Sequence, residues 1–155
     1  MSSHRLTASR LSVAMMLATL ALATVIFASG GVAALAQSFP LGQVLVLDAP
    51  RIGGLKRVPV ITTETDGTAT IDLWCKTVAA RLTVEGAAIR IEAAPLPEAL
   101  PQYMMSGQCS AERMQADTDT LTALTQATQW QRRGDLISLS GADGAAPLRF
   151  SLSSH

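Results

Sequence analysis

Few residues in this chain could carry hydrolytic chemistry. Histidine occurs only at His4 and His155. A Ser-His-Asp or Cys-His nucleophile therefore lacks a positioned imidazole in the body of the chain. Cys75 and Cys109 are the two cysteines, and two thiols without histidine fall short of the four N or S ligands of a zinc site. Gly53-Gly54 has neither the strand-to-helix setting nor the following Lys-Ser/Thr of a phosphate-cradling loop. The sequence thus assigns no catalytic, cofactor-binding or metal-binding residue. Carboxylates remain, because a pair of them can do acid/base work without histidine. Asp117 and Asp119 stand two apart in a helical stretch, on different faces, and read as solvated charges. Asp72, on the outer face of its strand, and Asp48, at a strand end, read as exposed. An enzyme working through carboxylates alone is the lowest-ranked reading.

Nucleic acid is excluded by charge. Leaving out residues 1–36 removes Arg5 and Arg10 and no acid, so the remainder stands near −2. Its densest basic groupings are Lys56-Arg57 and Arg132-Arg133, short of the basic stripe that tracks phosphates.

The N-terminus carries an address. Arg5 and Arg10 precede an apolar run from Leu11 to Ala28, Ser29-Gly30-Gly31 breaks it, and Ala34-Leu35-Ala36 supplies small residues. This is the order of a secretory signal, with cleavage expected between Ala36 and Gln37. The rival is an uncleaved anchor, since the run nears bilayer-spanning length. In both cases residues 37–155 form one domain placed outside a bacterial cytoplasm, periplasmic or secreted. The membrane enters only through the signal segment, if that segment is kept.

Patterning within 37–155 is mostly that of strands. Gln43 to Asp48 reads as a first strand. Val58 to Glu64 and Thr68 to Trp74 flank Asp66-Gly67, the strongest hairpin signal in the chain. Ala69, Ile71, Leu73 and Cys75 share one face, and Thr68, Thr70, Asp72 and Trp74 the other. Val78 to Val84 and Ile89 to Ala93 continue the alternation around Glu85-Gly86. Ser110 is placed to cap a helix with Glu112 in its first turn, and Met114, Thr118, Leu121, Leu124, Thr125 and Thr128 form its semi-apolar stripe. Gln129–Arg132, Asp135–Ser140 and Leu148–Leu152 read as closing strands. The fold expected is α+β: an antiparallel meander or partly closed sheet of seven or eight strands, with one helix packed before the last strands.

In an oxidising compartment two cysteines at changes of chain direction predict a Cys75–Cys109 disulfide. The alternative is a pair of buried free thiols. Pro95, Pro97, Pro101 and Gly107 make Ala94 to Gln108 a long loop, and loops of that length in a compact domain are commonly functional. Tyr103, Met104 and Met105 give it apolar side chains, and Trp74, on an outward face beside Cys75, extends the contact. The alternative is that the three residues plug the open end of the sheet.

One family resemblance emerges. Cys109-Ser110-Ala111-Glu112-Arg113-Met114-Gln115, Leu121-Thr122-Ala123-Leu124, Thr128-Gln129-Trp130, Arg133-Gly134-Asp135-Leu136 and Pro147-Leu148-Arg149-Phe150 resemble the META domain (HslJ-like) proteins of bacterial envelopes. The likeness covers roughly residues 68–151. Trp74-Cys75-Lys76 keeps the Cys of that family's Gly-Cys-Asn turn and loses its flanking residues. The resemblance implies an envelope protein linked to stress and heat induction, with no transferable catalytic set. The expectation is a non-enzymatic binding or stress-protection module directed at an unknown envelope component or protein. The alternative is an inhibitor or protective factor aimed at a hydrolase, with the long loop as its inhibitory element.

Overall fold

The computed structural model describes residues 37–52, 57–100 and 109–153. Strands β1 (Val44–Leu47), β2 (Val60–Thr63), β3 (Thr68–Asp72), β4 (Thr77–Glu85) and β5 (Ala88–Ala93) precede helix α1 (Ala111–Thr125). Strands β6 (Ala127–Arg133), β7 (Leu136–Gly141) and β8 (Leu148–Leu152) follow it. Each strand pairs antiparallel with its neighbour in sequence, and β8 returns to β1 through Leu45↔Leu152, Val46↔Ser151 and Leu47↔Phe150. The sheet is therefore a closed barrel, not a partly closed one. Closure leaves β1 and β8 without free edges, which short strands of four and five residues could not otherwise protect.

Alternation decides what fills the barrel. Leu45, Leu47, Ile61, Ile71, Leu82, Ile89, Ile91, Ile137, Leu139 and Phe150 are inward and buried. Arg81, Thr83, Arg90, Glu92 and Arg149, one residue out of phase, are exposed. The interior is a packed core of aliphatic and aromatic side chains.

The Asp66-Gly67 hairpin forms with a specific geometry. Gly67 N–H donates to Glu64 O at 3.1 Å, which centres the turn on Thr65-Asp66 and leaves Gly67 left-handed at φ +85°. A Cβ there would sit 2.5 Å from the Leu82 carbonyl oxygen, so this position admits only glycine.

The seam between β5 and β6 has the single registered pair Ala88↔Gln129, with Trp130 N–H donating to Ala87 O at 2.9 Å beside it. The chain leaves the sheet after β5 to build α1, which packs back against β5. Ser110 caps the helix, its hydroxyl accepting from Arg113 N–H at 3.4 Å. The buried face of α1 is Arg113, Asp117, Thr120, Leu121 and Leu124. This corrects the expected stripe: Leu121 and Leu124 belong to it, whereas Met114, Thr118 and Thr125 are exposed. Of the helix's charged residues Arg113 and Asp117 turn inward, toward main-chain groups that they bond, while Glu112 and Asp119 are exposed. Among the described residues no helix is long and apolar enough to cross a membrane.

The helix-capped end of the barrel as candidate functional site

In an up-and-down barrel alternate connections share an end. The β1–β2, β3–β4, β5–β6 and β7–β8 connections therefore meet at one rim, and α1 is part of the third. Three long-range ties gather there. Cys75, in the β3–β4 turn, is bonded to Cys109, just ahead of α1, with Cα atoms 5.7 Å apart across 34 residues. Asp117, fully buried on α1, accepts from Trp74 N–H at 2.8 Å and from Cys75 N–H at 3.2 Å on each carboxylate oxygen. Arg113, one helical turn earlier, donates from Nε to the Ile52 carbonyl in the β1–β2 connection at 3.1 Å and from Nη2 to the same oxygen.

The β3–β4 turn thus presents successive main-chain amides to one carboxylate, the arrangement by which a backbone concavity holds an anion. Burial pushes the Asp117 carboxyl above its ordinary range. The amides of Cys75, Trp74 and Lys76 and the Lys76 charge pull the other way. With its oxygens engaged by amides, Asp117 is a clamp between helix and turn. The reading of Asp117 as a solvated charge is thereby corrected; Asp119 is exposed, accepting from Gln115 Nε2 at 2.8 Å. Asp72 is half-buried on the outer wall, bonded by Thr77 Oγ1 at 2.6 Å and 3.8 Å from Arg57 Nη2.

Trp74 also departs from expectation. Strand β3 ends at Asp72, so the period-2 face assigned to Trp74 does not extend to it; the side chain is 7% exposed. Its Nε1–H is buried and finds no hydrogen-bond acceptor among the described residues, a costly state for a donor left unpaired. Tyr103, Met104 and Met105 lie outside the described residues, as does Ala36; Gln37 is exposed. The flanks of the 94–110 connection are described. Ala94 N–H donates to Ala79 O at 2.9 Å, Leu96 packs against the core, and Cys109 is held by its disulfide. The connection is therefore anchored at both ends.

The spacing of Arg113, Asp117, Thr120, Leu121 and Leu124 follows the 3.6-residue period as well as any apolar stripe does. That was the signal available for Asp117 and Arg113, and counting only apolar residues hides it. Among the described residues no three His, Cys, Asp or Glu side chains converge as metal ligands do.

Fold and site together define a closed, eight-stranded antiparallel barrel whose one rim is covered by a disulfide-tied, carboxylate-clamped helix. No protein-family model matches this chain, and no curated protein does. A solved structure of a DUF4847 family protein from Bacteroides vulgatus aligns with a TM-score of 0.46 and 17% identity, over 63% of this chain and 60% of that one. The chain thus spans about three-fifths of that protein's length, and a likeness this loose bears on neither fold nor function.

Proposed function

We propose that this chain is a non-catalytic binding or stress-protection module of the META (HslJ-like) type, working outside the cytoplasm, periplasmic or secreted. Its contact surface lies along Ala94 to Gln108, in the β5–β6 connection, and not on the helix. The observation that carries this reading is the double anchoring of that connection, by the Ala94–Ala79 hydrogen bond and the Cys75–Cys109 bridge. Tying both ends of a loop to a folded barrel narrows the span its ends can explore before a partner arrives, so less entropy is lost on binding. The disulfide supports an oxidising destination, in keeping with a signal segment cleaved between Ala36 and Gln37. The engagement of Asp117 by amides argues against the carboxylate-only enzyme.

The test combines Tyr103→Ser, Met104→Ser and Met105→Ser in a strain lacking the chromosomal copy and screened under envelope stress. Loss of rescue at unchanged melting temperature is the expected result. A large fall in melting temperature makes the three residues core and overturns the reading. The same tethered loop favours, as a second reading, an inhibitor of a hydrolase. Capture of a native envelope protein from extract selects the first reading, and capture of a foreign or secreted hydrolase the second.

A further inference from the structure

The outer wall formed by β6, β7 and β8 carries a feature independent of the capped rim. Ile137, Leu139 and Phe150 point inward and are buried, so their neighbours Ser138, Ser140 and Arg149 face out. The register sets Gln131, Ser138 and Arg149 in one row across the three strands, and Arg133 beside Leu136 in the row two residues away. Arg133 and Arg149 therefore stand about 10 Å apart across the strands and about 7 Å along them, within reach of a common ligand for side chains of their length. Both line one surface hollow of about 420 Å³, inside the size range of small-molecule sites. Leu136 and Pro147 supply its apolar wall.

Charge separates this hollow from two others on the barrel. The one over β4 and β5 contains Glu85, and its Arg90 is already paired with Glu92 at 2.9 Å. The one beside Gln37 sets Arg132 against Asp135. The β6–β8 hollow has two arginines and no acid among its lining residues. Neither Arg133 nor Arg149 makes an ion pair or a side-chain hydrogen bond with any described residue. Two unpaired guanidinium forks around hydroxyl and amide donors suit a group that accepts from several directions.

We propose that this hollow binds a phosphate group, with Arg133 and Arg149 as its two cationic arms, Gln131 and Ser138 as neutral donors in the row of Arg149, and Ser140 as a further donor at the next outward position of β7. A tetrahedral oxyanion presents acceptors to both arms and to the neutral donors beside them, which a planar carboxylate does less completely. The phosphate belongs either to a small soluble ester or to a lipid headgroup.

Nuclear magnetic resonance titration of the exported domain with pyrophosphate, against acetate at matched ionic strength, tests the site. Saturable shifts confined to Gln131, Arg133, Ser138, Ser140 and Arg149 are expected, weakened at least about tenfold in Arg133→Gln/Arg149→Gln by loss of charge-assisted hydrogen bonds. The Arg133→Lys/Arg149→Lys variant keeps the charge and loses the fork; an intermediate affinity is expected. Sedimentation with phosphatidylglycerol vesicles against phosphatidylcholine vesicles forms the second arm. Binding of pyrophosphate alone identifies a soluble ester, and arginine-dependent binding of the anionic vesicles alone identifies a headgroup. Shifts spread over the whole surface, equal responses to acetate, or binding unchanged in the glutamine variant overturn the proposal. These surface substitutions leave the capped rim untouched, so their outcome is separate from that of the loop variants.

Discussion

The two rims of the barrel are built on different principles. At the rim opposite α1 the chain turns tightly at Gly67, Gly86 and Gly134, each left-handed, and the interior is sealed by Phe39 edge-on to Trp130 at 5.2 Å. Trp130 is satisfied there, its Nε1–H donating to Gly86 O at 2.8 Å. At the helix-capped rim the ties join residues far apart in sequence: Cys75 to Cys109, Trp74 and Cys75 to Asp117, Ile52 to Arg113. The tryptophan of that rim has no acceptor for its indole N–H among the described residues. Tight hairpin turns close one rim, with Phe39 and Trp130 packed between them, whereas the other is held by a disulfide, a buried carboxylate and an arginine. A rim of the second kind is where a protein carries groups not chosen for stability alone.

The contrast breaks most visibly at the disulfide. Replacing Cys75 and Cys109 together with alanine should lower stability to urea by about 3–4 kcal/mol, the effect of releasing a loop of that length in the unfolded chain. Most of the loss should appear as faster hydrogen exchange in α1 and the β3–β4 turn, with the hairpin rim still protected. Uniform loss of protection would show that the two rims are one cooperative unit.

Next in size is Asp117→Ala, which leaves the buried amides of Trp74 and Cys75 without an acceptor and should cost about 2–3 kcal/mol. Asp117→Asn keeps one acceptor and should cost less, and it exposes a pH effect. Because burial raises the Asp117 carboxyl in the folded state, the folded chain holds its proton in a range where the unfolded chain has lost it. The contribution of this group is full below its unfolded pKa and falls as pH rises through the raised folded value. Urea midpoints measured across weakly acidic pH should show that decline in the wild type and not in Asp117→Asn. An unchanged slope would mean the carboxyl is not raised.

The smallest effects compare the tryptophans directly. Trp130→Phe removes the donor to Gly86 O and should cost about 1–2 kcal/mol. Trp74→Phe removes a donor that has no acceptor among the described residues, so the smaller ring's lost packing is offset and the change should stay below about 1 kcal/mol. Thermal melts of the two variants side by side decide the matter. A larger loss at Trp74 than at Trp130 would show that its indole N–H is satisfied in solution.

Local signals in the sequence determined a good part of this structure. Alternation placed Ile71, Val78, Leu82, Ile89, Ile91, Ile137, Leu139 and Phe150 inside, because a pleated strand sends neighbouring side chains to opposite faces whatever lies around it. Asp66-Gly67 marked its hairpin and Ser110 its helix start, since turns and caps act over four residues or fewer. Two cysteines in one chain made the bridge the natural pairing. Only the tertiary structure decided the rest. Closure depends on β1 meeting β8, about a hundred residues away, and no local pattern distinguishes an edge strand from one that will find such a partner. Asp117 looked like a surface charge because its partners, the amides of Trp74 and Cys75, come from a turn more than forty residues earlier. Trp74 looked outward because alternation was carried past Asp72, where the chain leaves the strand and the tryptophan becomes buried. Side-chain patterning acts through nearest neighbours along the chain, but burial of a charge or an indole is set by whatever the fold brings over it.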